Sequence, residues 1–223
     1  MGQKLFYKNK NIYNLDLVLT ASVTAYFQLG EKYVTAGPVR NKEIVATIIG
    51  ALDNEEIFVD ATTKEHEKIA QDIKQYYKGL ALKAMGGRIN DFEQKVLEII
   101  KKDTVEPQEV GIITSLPKSY FRSIDRDLVN DKLFKVSKDS KHIGNEGDGL
   151  KLQLTCLSTS FIQRLGCHIV TALDTNNNIV VFFTGKNPDQ FEGTVDISCK
   201  VKRHQVSRFH GGNETVVNYV KVI

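Results

Sequence analysis

Apolar residues along this chain follow two different periods. From about position 150 they recur at every second residue, and ahead of about position 135 they recur at every third and fourth. In the later part Leu152, Leu154 and Cys156 fall on one face while Lys151, Gln153 and Thr155 fall on the other, the signature of a half-buried strand. A second run at 166–173 is rich in Ile and Val and stops at 174–178, Asp-Thr-Asn-Asn-Asn, whose side chains bond their own backbone and tolerate positive φ. That cluster predicts a hairpin turn. The third run, 179–183, is apolar on both faces. The fourth, 193–204, alternates Val195, Ile197, Cys199 and Val201 with Asp196, Ser198, Lys200 and Lys202, and a fifth run occupies 215–222.

Five strands this closely spaced favour closure over an open sheet, because closure leaves no long unpaired edge. The arrangement expected is a five-stranded Greek-key barrel of the OB type. Only 185–192 separate the third strand from the fourth, which is too short for the helix such barrels often carry there.

The front of the chain reads as helices. Asn14 is positioned to cap a helix over 15–29, and Gly37-Pro38 separates it from a second with Ile44, Val45, Ile48, Ile49 and Leu52 on one stripe. Thr62-x-x-Glu65 matches a capping box ahead of the longest helix, which carries Ile69, Ile73, Tyr76, Leu80 and Ala84 and ends at Gly86-Gly87. A fourth helix is expected over 91–102 with Phe92, Val96, Leu97 and Ile100 inward, and Pro107 and Pro117 punctuate two shorter ones at 110–116 and 118–129. The polar, Gly-containing stretch that follows reads as a linker. The fold class is therefore α+β: a helical domain at 1–135, a linker at 136–149 and an OB-like barrel at 150–223.

Composition narrows the function classes. Hydrophobic residues make up 41% of the chain, enough for a packed core, and the net charge is only +3, so any nucleic-acid footprint must arise from local clustering. No apolar run approaches the ~20 residues of a spanning helix, and the N-terminus shows no apolar signal core. Three cysteines without C-x-x-C spacing point to a reducing cytoplasm.

A series of short motifs resembles a group of tailed-bacteriophage proteins that end in an OB-like domain. They are Gly111-Ile-Ile-Thr-Ser-Leu-Pro-Lys-Ser-Tyr120, Ser140-Lys-His-Ile-Gly144-x-x-Gly147-Asp148, Asp174 with Asn178, Gly193-Thr194, Lys200-Val201-Lys202-x-His204 and Thr215-x-x-Asn218-x-Val-Lys-Val222. The resemblance covers the later part of the chain and implies a replication-associated role in phage. The chain departs from the group in lacking the cysteine pairs with which some relatives begin. It also carries Tyr219 where the pattern usually has Arg.

Candidate binding residues follow from the barrel type. OB barrels bind oligonucleotides on strands two and three and on the loops joining strands one to two and four to five. The first of those loops offers Phe161 and Arg164. Strand three offers Phe182 and Phe183, one of which must face outward. The fourth strand and the loop after it offer Lys200, Lys202, Arg203, His204, Arg208 and Phe209. Aromatic stacking with a cationic rim is how sequence-tolerant single-strand binders work. The bland counterpart is a solvated hairpin tip and an outward Phe packed on helices. In the helical domain Arg40, Lys42, Lys83, Arg88, Lys118, Arg122 and Arg126 lie near helix starts and turns, as phosphate contacts or as ordinary surface charge.

Catalytic and metal constellations are weak. Cys156, Cys167, His168, Cys199 and His204 lack ligand-loop spacing, His66-Glu67 lacks the second His of a zinc-protease helix, and no nucleophile elbow occurs. The expectation is a non-catalytic cytoplasmic protein that binds single-stranded DNA or RNA, without cofactor, metal or membrane span and with a replication protein as a further partner. The competing reading is an interaction or assembly module in which the barrel packs on the helices and docks a partner protein.

Overall fold

The computed structural model describes residues 11–52, 56–86 and 89–223, the side chains of Lys83 and Met85 excepted. Gly87 and Arg88, named above, lie outside the described residues. The chain divides into two compact units, Met1–Ser123 and Ile124–Ile223.

The first unit is built around α1 (Leu15–Gln28), which is buried on nearly every side. A helix apolar all round belongs in a core, and its two internal polar residues satisfy themselves by bonding back one turn. Ser22 Oγ donates to the Val18 carbonyl oxygen at 2.6 Å and Thr24 Oγ1 to that of Thr20 at 3.1 Å. Asn14 caps α1 by accepting from the Leu17 N–H at 3.1 Å, as the sequence predicts. Around α1 lie α2 (Asn41–Ile48), α3 (Lys64–Met85), α4 (Asp91–Lys102), the short α5 (Val110–Thr114) and a two-stranded ladder of β1 (Tyr13–Asn14) with β2 (Thr104–Val105). The cap of α3 is one residue further along than expected, since Thr63 Oγ1 accepts from the His66 N–H at 3.2 Å. Asn90 and Glu93 form a reciprocal capping box on α4.

The last helix, α6, spans Leu116–Ser137 and runs through the division between the units. Pro117 falls in its first turn, where a missing N–H is tolerated. The helix continues well beyond the expected stop at 129. Val129, Leu133 and Val136 keep a helical stripe through residues that otherwise look like polar linker.

The second unit is a closed barrel of five strands: β3 (Gly149–Ile162), β4 (Cys167–Asp174), β5 (Ile179–Thr184), β6 (Thr194–Val206) and β7 (Asn213–Val222). The strand order is β3-β4-β5-β7-β6, closing back on β3, with β5 and β7 parallel and every other pair antiparallel. This mixed order is consistent with an OB-like fold. β3 is long because it serves two partners. Gly149–Thr155 pairs with β6 and Leu154–Ile162 with β4, and a bulge between Cys156 and Ser158 turns the strand between them. The Asp174 turn forms as expected, with Oδ1 accepting from the N–H groups of Asn176 (2.8 Å) and Asn178 (2.7 Å) and Asn177 at φ 61°.

Leu154, Val170, Ala172, Val180, Phe182, Ile197, Cys199 and Val217 fill the barrel. Its open end receives Phe191 from a 3-10 turn at Pro188–Phe191, whose ring meets Phe182 edge-on at 5.0 Å. A single turn with one aromatic thus fills the space a helix between the third and fourth strands would take.

The stretch expected as a linker, 136–149, is instead bonded along the barrel. Ser140 Oγ donates to the Asn213 carbonyl oxygen (2.7 Å) and accepts from the Ile179 N–H (3.0 Å). The Ile143 N–H donates to Thr215 Oγ1 at 2.9 Å, and Gly147 and Val201 are joined by an N–H···O bond of 2.9 Å. The division between units falls between Ser123 and Ile124, within α6, and not at 135. No helix among the described residues is long and apolar enough to cross a membrane.

Candidate functional site

The strand register decides what each face of the barrel can do. On the outer side of β4 and β5 the cross-strand pairs are Ile169 with Phe183, Thr171 with Val181 and Leu173 with Ile179. This is the face through which OB barrels generally bind oligonucleotides. Here Leu133, Val129 and Val136 of α6 pack on Leu173, Ile179, Val181 and Ile169, so most of the face is covered by the same unit's own helix. Leu133, Leu173, Ile179 and Val181 are buried, and burial of each such side chain contributes about 1.5–3 kcal/mol.

The two adjacent phenylalanines of β5 resolve accordingly. Phe182 points inward and is 1% exposed, so it belongs to the barrel core and not to a binding surface. Phe183 points outward beyond the end of the α6 cover and is 44% exposed. Phe161, expected in a loop, lies on β3 opposite His168, with the two rings 5.0 Å apart. Its partner faces the opposite way from Ile169, so Phe161 and Phe183 stand on different faces. Arg164 is exposed in a 3-10 turn at the β3–β4 tip. Phe161 and Phe183 therefore do not form one surface.

The other expected residues lie on β6 and at the tip beyond it. Lys200 and Lys202 are exposed on the outer face, alternating with the buried Cys199 and Val201. His204 is half-buried and works as a tie: its Nε2 lies 3.2 Å from the Ile143 carbonyl oxygen, and its ring stacks on His142 at 4.4 Å. Arg203 and Arg208 line one open cleft of about 360 Å³ together with Gln205, Val206, Phe209 and Glu214. Phe209 is 99% exposed.

This tip is a built loop. The Ser207 N–H donates to the Gly212 carbonyl oxygen at 2.9 Å, the Gly211 N–H to that of Ser207 at 3.0 Å, and the Phe209 N–H to Ser207 Oγ at 3.3 Å. Gly211 takes φ 72°, a left-handed backbone that suits glycine. The carboxylate in the cleft, Glu214, accepts from Gln205 Nε2 and lies 3.6 Å from His210 Nε2. Arg203 donates through Nε to Gln205 Oε1 at 2.8 Å. The guanidinium groups, an exposed ring and a concave surface can receive a phosphate and a stacked base. Gln205 and Glu214 escape the sequence reading because a hairpin cleft depends on which residues face one another across the turn.

Cys199 is buried in the barrel core, while Cys156 and Cys167 are half-buried. Burial pushes the Cys199 thiol up to about 11, so it stays protonated as a small core residue. Among the described residues no three His, Cys, Asp or Glu side chains gather to hold a metal. In the first unit Arg40 is paired with Glu43, whose carboxylate also accepts from the Arg40 N–H at 3.1 Å, and in the second Arg126 lies 3.9 Å from Asp127. Comparison of the chain with protein-family models, with curated proteins and with solved structures finds no match.

Proposed function

We propose that this protein binds single-stranded nucleic acid, without chemistry of its own, through the β6–β7 end of its barrel. The observation that carries the reading is the cleft in which Arg203 and Arg208 flank the fully exposed Phe209. Two cations engage the backbone while the ring stacks on a base, a contact worth about 1–3 kcal/mol and indifferent to sequence. The loop is already closed by its own hydrogen bonds, so little ordering opposes binding. A phage replication setting, a replication-protein partner and a cytoplasmic location belong to the same proposal and rest on the motif resemblance and the free cysteines.

A second reading, docking of a partner protein, is favoured by one observation: Phe161 and Leu165 stand 59% and 57% exposed at the β3–β4 end of the barrel.

The chain has no tryptophan, so Phe209→Trp places a single indole at the cleft. Adding a single-stranded oligothymidylate is expected to quench that fluorescence saturably, with the quench reversed by salt. Emission unchanged at oligonucleotide excess would mean that no base stacks at this tip.

A further inference from the structure

On β6, Ile197, Cys199 and Val201 face the barrel interior, so Ser198, Lys200 and Lys202 face out. Ser198 stands opposite Lys151 on β3 and opposite Lys221 on β7, while Lys200 stands opposite Gly149 and Asn218. Partners directly across a ladder share a face, so Lys151, Lys200 and Lys221 gather around Ser198 in a patch about 10 Å across, two inter-strand spacings. All three are exposed, and among the described residues none takes part in an ion pair. Grouped cations without partners repel one another, which is unfavourable unless an anion is bound. One carboxylate, Asp196, closes the patch on the side away from the hairpin, where it accepts from Gln153 Nε2 at 3.1 Å. On the other border Glu146 is engaged by the His204 N–H and Asp148 by that of Asn145.

Tyr219 adds an aromatic beside the lysines. It sits where β7 carries an extra residue against β6, at φ 53° and 76% exposed. A bulky side chain in the left-handed region is disfavoured and marks a place where the backbone is spent on presenting a group. The bulge does that here, turning the ring to solvent between Asn218 and Lys221.

Resting on the nucleic-acid reading above, the geometry points to a path for the strand: from Phe209 at the hairpin tip, over Lys202 and Lys200, to Lys151, Lys221 and Tyr219 on the outer face of β3, β6 and β7. The β4–β5 face used by other OB barrels is closed to it by α6. Outward side chains on β6 recur every ~6.8 Å, two strand residues, close to the distance between neighbouring phosphates of an extended strand. The ligand class is thus a single strand long enough to reach from tip to patch, and its far end is held by Lys151, Lys221 and Tyr219.

The test compares a single-stranded oligonucleotide of about 12 nucleotides with one of about 4, spanning the usual range of OB sites. Lys151→Gln with Lys221→Gln is expected to weaken the longer oligonucleotide about tenfold and to lower the slope of log K against log salt by about 1.4, while the short one is little affected. Tyr219→Asn, which suits the left-handed backbone, is expected to weaken the longer one about fivefold or more at unchanged salt slope. Lys186→Gln, away from the path, serves as the control. If the patch variants bind like the wild type while Arg203→Glu with Arg208→Glu loses binding, the path is wrong and the hairpin reading stands. If the wild type itself shows no salt-sensitive binding, the nucleic-acid reading falls and the path with it.

Discussion

Phe191→Ala is expected to destabilise the barrel unit by about 3–5 kcal/mol, the range for deleting a buried aromatic. The ring is 1% exposed and seals the end of the barrel against Phe182, and the 3-10 turn that carries it has no other buried residue to hold it there. The loss combines the transfer of a large apolar group with a cavity that a closed barrel collapses poorly around. Hydrogen exchange measured by mass spectrometry reads it directly, as a fall of a hundredfold or more in the protection of β4, β5 and β7 amides. Phe183→Ala is the matched control: its ring is 44% exposed, and its removal should cost about 1 kcal/mol. Equal losses at the two positions would contradict the placing of Phe191 as the plug of the barrel end and of Phe183 as an outward side chain.

Gly212→Ala tests the coupling of the hairpin to the helix. A Cβ at this position would lie 2.7 Å from the Ser137 Cα and press against its carbonyl oxygen and its own Cβ, with backbone on the receiving side. A main-chain neighbour cannot swing away as a side-chain end can, so the hairpin must lift from the end of α6. That movement strains the pair of bonds between Ser140 and Asn213, whose Nδ2 donates to the Ser140 carbonyl oxygen at 3.1 Å. The expected loss is about 3 kcal/mol, at the upper end of overpacking costs. Oligonucleotide affinity should fall at least tenfold with it, since Arg203, Arg208 and Phe209 lose their common frame. Gly211→Ala meets open space and should cost only about 1–2 kcal/mol for its left-handed backbone. Wild-type protection across the hairpin in the Gly212→Ala variant would show that α6 does not position it.

The inward residues of β6 are legible in the sequence because alternation is strict there: Ile197, Cys199 and Val201 are all buried. The run at 179–183 defeats the same logic for a physical reason. Both of its faces are buried, one by the barrel interior and one by α6, so periodicity cannot tell Phe182 from Phe183. The Ser and Thr residues of 155–160 hide the second half of β3, because neither face of that half reads as apolar even though it pairs fully with β4. The stripe Val129, Leu133 and Val136 is diluted by lysines and aspartates, so the helix reads as ending at 129. The feature that most alters the candidate site, the cover over β4 and β5, is therefore not legible in the sequence. The cluster at Arg203, Arg208 and Phe209 is visible as composition. Its cleft is not, since that depends on Gln205 and Glu214 meeting across the hairpin.

The most direct test is a fluorescence anisotropy titration of a labelled single-stranded oligonucleotide at low and moderate salt, with the wild type and with Arg203→Glu and Arg208→Glu combined. The account predicts micromolar or tighter binding that weakens steeply with salt and is lost in the variant. No binding by the wild type at low salt, or equal binding by the variant, would contradict it.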